Sequence, residues 1–147
     1  MVLYRAMAND TMVGSAVSVA KRLGKSTARV YEAFLDPALA RAWMGLGSDG
    51  VSELAIDARP GGKYRFVTQR GGVDIEHRGE YRELVPGKRL VFTWVVPSLT
   101  QLVSIVTIDL LGAGDVTQVV LSHDGVLPEY QSRTREGWGK ILDEIGR

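Results

Sequence analysis

The stretch from residue 79 to residue 94, GEYRELVPGKRLVFTW, contains the pattern that decides the fold. Side chains alternate with a period of two on both sides of Val85-Pro86-Gly87-Lys88, whose proline and glycine are typical of a tight turn. The first half belongs to a predicted strand over about residues 74–84, and the second half begins a predicted strand over residues 89–96. The stretch therefore predicts two antiparallel strands joined by a hairpin.

The same period of two continues on either side of this hairpin. Glycine-containing turns separate the alternating segments, at residues 59–62, 70–72 and 112–115. Short strands at this spacing indicate an antiparallel meander. The predicted strands lie over residues 16–21, 51–58, 64–66, 74–84, 89–96, 101–111 and 116–123.

Two short helices are predicted between the first and second strands. Ser26 or Thr27 is a suitable cap for the first helix. Asp36-Pro37 ends that helix and begins the next, because aspartate suits the cap and proline the first helical position. The expected apolar faces are Val30, Ala33 and Phe34 in the first helix, and Leu39, Ala42 and Trp43 in the second.

The chain ends in a longer predicted helix that begins near Pro128. Its apolar face comprises Trp138, Ile141, Leu142 and Ile145. Gly137 and Gly139 flank the tryptophan, and each costs about 1 kcal/mol relative to alanine in a helix interior. Two interpretations stay open. Either the helix is frayed or starts late, or the missing side chains allow close approach to the sheet or leave room for a ligand.

This order of elements predicts an α+β helix-grip fold, a curved antiparallel sheet of about seven strands around a long C-terminal helix. The 147 residues suffice for one domain, expected over residues 15–147. Residues 1–14 are expected to be a poorly ordered lead-in, with Met7 and Met12 as alternative starts. One long helix and two short ones cover a sheet face incompletely, so a cavity is expected between sheet and helix.

The composition excludes several classes of function. Eighteen basic residues against seventeen acidic ones leave a net charge of +1, without the clustered positive charge that nucleic acids or anionic membranes attract. The absence of cysteine excludes disulfides, thiolate metal sites and cysteine nucleophiles, and it suits a cytoplasmic location. No apolar run approaches the roughly 20 residues of a membrane span.

Several stretches resemble proteins related to the activator of the ninety-kilodalton heat-shock protein ATPase. The resemblance covers about residues 15–147, and residues 79–94 are its most recognisable part. The other matching stretches are residues 28–34, 36–37, 43, 57–64, 115–123 and 137–138. This family lies within the START-like (SRPBCC, polyketide-cyclase-like) superfamily, which shares the helix-grip fold of Bet v-like proteins. Membership implies a hydrophobic cavity for small apolar molecules but no single reaction.

Two patterns match functional motifs by letter but not by context. Residues 45–50, GLGSDG, fit G-x-G-x-x-G but follow a helix and precede a strand, the reverse of a dinucleotide site. Ser122-His123-Asp124 has triad residue types, but neighbours on a strand point to opposite faces. A metal site would need His77, His123 and a carboxylate such as Glu83 to converge from distant strands. No cofactor and no metal are therefore expected.

Both histidines share strand phase with apolar residues and are expected to point inward. Each is either a general base or polar anchor, or a neutral buried ring satisfied by a neighbouring hydroxyl or carbonyl; the second interpretation is favoured. No catalytic residue is assigned. The candidate cavity-lining residues are Trp43, Phe66, His77, Tyr81, Trp94, His123 and Trp138.

The charged residues of interest are assigned structural roles. Asp57, Arg59 and Glu83 are expected to form an ion pair near the turn at residues 59–62. The solvated face of the last helix is expected to include Arg133, Arg135 and Glu136.

Three functional hypotheses follow. The leading one is binding of a small hydrophobic molecule between sheet and C-terminal helix. The second is a cyclase- or hydrolase-like enzyme for an apolar substrate, with His123 or His77 as acid–base. The third is a protein-interaction module, either a co-chaperone or a homodimer. The chaperone partner is less favoured, because the eukaryotic namesake makes much of its contact through an additional N-terminal domain.

Overall fold

The computed structural model describes residues 15–147, and the lead-in expected over residues 1–14 lies outside them. The described residues form one seven-stranded sheet in the order β1-β7-β6-β5-β4-β3-β2, in which all neighbours are antiparallel. The elements are β1 (Ser15–Leu23), α1 (Thr27–Leu35), α2 (Pro37–Met44), β2 (Val51–Ile56), β3 (Lys63–Arg70), β4 (Val73–Val85), β5 (Arg89–Trp94), β6 (Ser104–Ala113), β7 (Val116–Val126) and α3 (Pro128–Ile145). The predicted α+β helix-grip fold is confirmed. Within the described residues, no helix has the length and hydrophobicity needed to cross a membrane.

The hairpin over residues 79–94 forms as its sequence predicts. Tyr81 pairs with Phe92 and Val85 pairs with Arg89, and Gly87 lies in the turn with a φ of 70°. The following connection is longer than predicted, because β5 ends at Trp94 and β6 begins only at Ser104. The backbone N–H groups of residues 99 and 100 both donate to the carbonyl of residue 96, so the chain turns here instead of remaining extended.

A close approach at Gly79 holds β3, β4 and β5 together. The Tyr64 hydroxyl donates to the Thr93 carbonyl at 2.6 Å. A Cβ on residue 79 would overlap that same carbonyl and would lie 2.6 Å from the Tyr64 ring. Only glycine leaves space for this contact, so packing requires a glycine at residue 79.

The caps of the short helices are confirmed, but the predicted face of α2 is wrong. Ser26 accepts from the Arg29 N–H, and Asp36 accepts from the first backbone N–H groups of α2. Of the predicted α2 stripe only Trp43 is buried, whereas Leu39 is 44% exposed and Ala42 is also exposed. The Trp43 indole donates to the Ala33 carbonyl at 3.0 Å, which fixes the rotation of α2. The buried side chains of α2 are Ala40, Trp43 and Met44.

Helix α3 is continuous from Pro128 to Ile145, so the interpretation of a late-starting helix is wrong. It packs mainly against β1, with further contacts to α2 and β7. Lys21 on β1 and Asp143 on α3 form an ion pair at 2.6 Å. Because α3 lies over this side of the sheet, its other flank faces the inner surface of β3–β5 across a cleft.

The expected ion-pair group forms only in part. Arg59 binds Asp57 at 2.9 Å beside the predicted turn. Glu83 instead binds Arg89 at 3.2 Å, and Arg89 also binds Asp109 at 2.6 Å. The hairpin register explains this correction, because Arg89 lies opposite Val85 and is therefore diagonal to Glu83 on the adjacent strand.

Candidate functional site

The cleft between α3 and the inner face of the sheet is the candidate site. It consists of two adjoining cavities of about 320 and 290 Å³. The loop after α2 forms one rim, and the chain between β5 and β6 forms another. Side chains that line both cavities are Met44, Leu46, His77, Trp94 and Ile141, together with two arginines described below. The lining is therefore largely apolar.

Six of the seven predicted lining residues lie in this cleft. The larger cavity is lined by His77, Trp94, His123 and Trp138. The adjoining cavity is lined by Trp43, Phe66, His77 and Trp94, and on the α3 side by residues next to Trp138. Tyr81 lines neither cavity. Its ring packs against Tyr64 and Phe92 at centroid distances of 5.5 and 6.1 Å, in the packed part of the interior.

Trp94 lies at the centre of an aromatic cluster that forms the floor of the cleft. Its ring centroid is 5.3 Å from Trp138, 5.7 Å from His77 and 6.0 Å from Phe66. The His77 ring stacks flat on Phe66 at 4.4 Å. Edge-to-face and tilted aromatic contacts of this kind fix ring orientations, so the floor is rigid.

A chain of buried hydrogen bonds determines the protonation of His123. The Trp138 indole nitrogen donates to His123 Nδ1 at 3.0 Å. An indole N–H is only a donor, so Nδ1 carries no proton and the proton of the neutral ring lies on Nε2. That Nε2–H donates to Ser104 Oγ at 2.7 Å, and Ser104 donates to the Trp94 carbonyl at 2.9 Å. Every polar atom in this chain has a partner.

This arrangement gives His123 a structural role. Burial lowers the pKa of His123 to about 4, so the ring is neutral near pH 7. One nitrogen accepts from Trp138 and the other donates to Ser104, which leaves no lone pair for a proton from Ser104 or a ligand. Ser104 and His123 are therefore not arranged as nucleophile and base.

The partner of His123, Ser104, is not among the candidate residues predicted from the sequence. Ser104 has the same strand phase as Val106, Ile108 and Leu110, all of which are buried on the inner face. A lone polar residue in that phase is a detectable signal, because a buried hydroxyl requires a hydrogen-bond partner.

His77 differs from His123 in having an unsatisfied atom. Its Nδ1 is buried and has no hydrogen-bond partner within the described part of the chain. Burial lowers the pKa of His77 to about 4, and the Arg70 charge acts in the same direction. The backbone carbonyls of Phe66 and Ile75 act in the opposite direction and raise the pKa. His77 is thus a neutral ring that lines the cleft, and its unpartnered Nδ1 is buried out of reach of the cavity.

Arg70 and Arg133 contribute positive charge to the cleft and line both cavities. Arg70 donates to the Gly47 carbonyl at 2.7 Å, and the Arg133 guanidinium lies 5.8 Å from the Tyr130 ring centroid. The predicted position of Arg133 was a solvated helix face, and Arg70 is not among the residues predicted to line the cavity. Arg70 continues the inward phase of the buried Thr68, which is the signal that could have identified it.

The two glycines of α3 have open space around them. A Cβ at Gly137 or at Gly139 would meet no atom within 4 Å beyond the helix itself. Close approach to the sheet therefore does not explain either glycine. Gly137 lines both cavities, whereas Gly139 lines neither.

The loop over residues 45–50 follows α2 and leads into β2, and Gly45 is the C-cap of the helix. Among residues 15–147, no group of three or more histidine or carboxylate side chains is placed to hold a metal ion.

Comparisons with known proteins identify relatives of similar length. Residues 25–147 match the family model described as Activator of Hsp90 ATPase homolog 1-like protein. No curated protein gave a match. A solved structure from Chromobacterium violaceum is 26% identical, with a TM-score of 0.82 over 90% of this chain and 94% of that one. A Rhizobium loti protein is 25% identical, with a TM-score of 0.77 over 92% and 97% of the two chains.

A third relative shows the fold alone. It is a protein from Nitrosomonas europaea, 21% identical, with a TM-score of 0.75 over 90% of this chain and 92% of that one.

Proposed function

This chain belongs to the Activator of Hsp90 ATPase homolog 1-like protein family, and on that premise we propose that it binds a small apolar molecule in the cleft between α3 and the sheet. The START-like fold is compatible with ligand binding and by itself assigns no ligand. The observation that carries the proposal is the aromatic-floored cleft of about 320 Å³. A cysteine-free chain needs no oxidising compartment, and we place this binding in the cytoplasm.

The size and lining of the cleft support this proposal. Small-molecule sites usually enclose about 300–1,000 Å³ and combine apolar walls with a few polar groups. Here Trp94, Trp138 and Ile141 provide apolar surface, and Thr68 and His77 provide polar groups. Covering this surface with an apolar ligand would contribute about 25 cal/mol for each Å² removed from water.

The two histidines favour binding over acid–base catalysis. Both nitrogens of His123 are engaged by Ser104 and Trp138. The unpartnered Nδ1 of His77 is buried out of reach of the cleft, so it is not placed to take a proton from a bound molecule. A neutral ring with a pKa of about 4 is also a weak base near pH 7.

Two measurements test the proposal. Native mass spectrometry before and after denaturation detects a small molecule that co-purifies with the protein. A fluorescence titration with N-phenyl naphthylamine, a neutral apolar probe, measures binding directly. We expect the wild-type protein to bind the probe with increased emission, since the dye emits strongly only when shielded from water.

A matched pair of α3 variants locates the bound probe. Gly137→Leu places a side chain in both cavities, and we expect it to weaken probe binding at least tenfold. Gly139→Leu makes the same change on the same helix outside the cleft, and we expect wild-type affinity. Equal affinity of the two variants, or no probe binding together with a clean apo mass, would contradict the proposal.

A further inference from the structure

We propose that the molecule bound in the cleft is an amphipathic organic anion, whose apolar body lies on the aromatic floor and whose carboxylate or similar headgroup is bound by Arg70 and Arg133. This inference rests on the proposed binding function and specifies its ligand class.

Arg70 places a guanidinium at the cleft with most of its donors unused. It lies at the end of β3, and one N–H donates to the Gly47 carbonyl at 2.7 Å. A guanidinium has five N–H donors. In the described structure no carboxylate lies within ion-pair distance of Arg70, and Asp49 of the same loop accepts instead from the Gly71 N–H.

Arg133 supplies the second cation from the opposite wall. It precedes Gly137 by four residues on α3, so the two lie on the same helix face. Its guanidinium lies near the Tyr130 ring, a contact that occupies no N–H donor. No described carboxylate pairs with Arg133 either. The open space beside Gly137 therefore adjoins a guanidinium whose N–H donors are available to a ligand.

The charge of the cleft exceeds that of the whole chain. The ionised side chains that line the two cavities are Arg70, Arg133, Lys140 and Glu136. Glu136 is paired with Lys140 at 3.6 Å, so the two arginines remain as net positive charge. The whole protein carries only +1. A cleft with an excess of one sign of charge attracts ligands of the opposite sign.

Two arginines on the outer face of the sheet provide a contrast. Arg65 pairs with Glu76 at 2.7 Å, and Arg89 pairs with Asp109 at 2.6 Å. Those guanidiniums are neutralised by this chain's own carboxylates. A planar guanidinium matches a carboxylate or phosphate with two parallel hydrogen bonds. The cleft thus combines apolar surface with two cations that an anionic headgroup would neutralise.

Two probes that differ only in charge test this inference. Anilinonaphthalene sulfonate and N-phenyl naphthylamine share one apolar body, and only the first carries an anionic group. We expect the wild-type protein to bind the sulfonate about tenfold more tightly, the size of one charge-assisted hydrogen bond. The preference should shrink as salt shortens the Debye length from about 30 Å at 0.01 M to about 3 Å at 1 M.

Arginine variants assign the preference to the cleft. We expect Arg70→Met and Arg133→Met each to weaken sulfonate binding about five- to tenfold more than they weaken binding of the neutral amine. Arg135→Met removes the same charge from the same helix outside both cavities and should change neither affinity. Because Arg70 also supports the loop at Gly47, Arg70→Lys serves as a second variant that keeps the charge, and it should retain most of the preference.

The outcomes separate this inference from the proposed function. Equal wild-type affinity for both probes, or a sulfonate preference that both methionine variants retain, overturns the anionic ligand while binding in the cleft stands. Failure of both probes to bind, together with a clean apo mass, refutes the binding function and this inference together. Loss of neutral-amine binding in Arg133→Met, with an unchanged melting temperature, would show that the arginine contributes surface and not charge, and it would also overturn the inference.

Discussion

Gly79 and Gly137 show how the same residue serves opposite purposes in two regions of the interior. At Gly79, the space that a side chain would need is already occupied by the Tyr64 ring and the Thr93 carbonyl. At Gly137, nothing occupies the space, and the position borders the cleft. The first region is a closed core and the second is an open site. What distinguishes them is whether a neighbouring strand reaches the glycine.

Hydrophobic content does not distinguish these two regions. Tyr81 and Phe92 pack tightly in the closed region, and Trp94 and Trp138 line the open one. Both pairs are aromatic, and both lie between the sheet and α3. The cleft exists because α3 packs towards β1 and leaves the wall next to Trp94 without a covering side chain.

The largest expected effect is at the closed glycine. We expect Gly79→Ala to destabilise the protein by about 4 kcal/mol, because the added methyl group would force β4 away from Thr93 or displace the buried Tyr64. Urea unfolding followed by circular dichroism measures the change. Gly24→Ala is the matched control, since its added Cβ meets nothing within 4 Å. Wild-type stability of Gly79→Ala would show that this glycine does not set the strand spacing.

The next effect concerns His123, which lies where the core meets the cleft. Burial lowers the pKa of His123 to about 4 from an ordinary value of about 6.5. Between these values the unfolded chain binds a proton that the folded chain does not, so the free energy of unfolding rises with pH. The contribution of the neutral His123 ring to the free energy of unfolding is fully present above about pH 6.5 and is lost as the pH falls to about 4. It amounts to about 3 kcal/mol.

Histidine NMR signals measure this directly. We expect neither His77 nor His123 to titrate above about pH 5. Trp138→Phe removes the donor to Nδ1, so the His123 titration should move upward while that of His77 stays in place. A wild-type His123 that titrates near pH 6.5 would mean that its ring is solvated and that the hydrogen-bond chain does not hold it neutral.

Local patterns predicted the elements of this fold well. The turn at residues 85–88 and the cap at Asp36 form as predicted, because each depends only on residues adjacent in sequence. The rotation of α2 was wrong at Leu39, because a bond from Trp43 to the Ala33 carbonyl sets it across two helices. Sequence periodicity carries no information about such a contact.

The candidate site was predicted less completely than the fold. The inward phase of Trp94 and His123 is a property of a single strand and can be read from sequence. The roles of Ser104, Arg70 and Arg133 depend on distances between elements far apart in the chain. The same limit applied to Gly137, since only the path of α3 over the sheet determines whether a helical glycine is packed or open.

The smallest expected effect tests whether the open glycine is retained at a cost in stability. We expect Gly137→Ala and Gly139→Ala each to increase the free energy of unfolding by up to about 1 kcal/mol, because alanine favours a helix interior and neither Cβ meets a neighbour. Only Gly137→Ala adds atoms to the cleft, so only it should weaken binding of N-phenyl naphthylamine, by a few-fold. That combination would show that the fold gives up stability at residue 137 to keep the cleft open, as functional sites often do. Thermal unfolding and the same fluorescence titration measure both effects. A gain in stability with unchanged binding in both variants would instead mean that Gly137 has no part in the site.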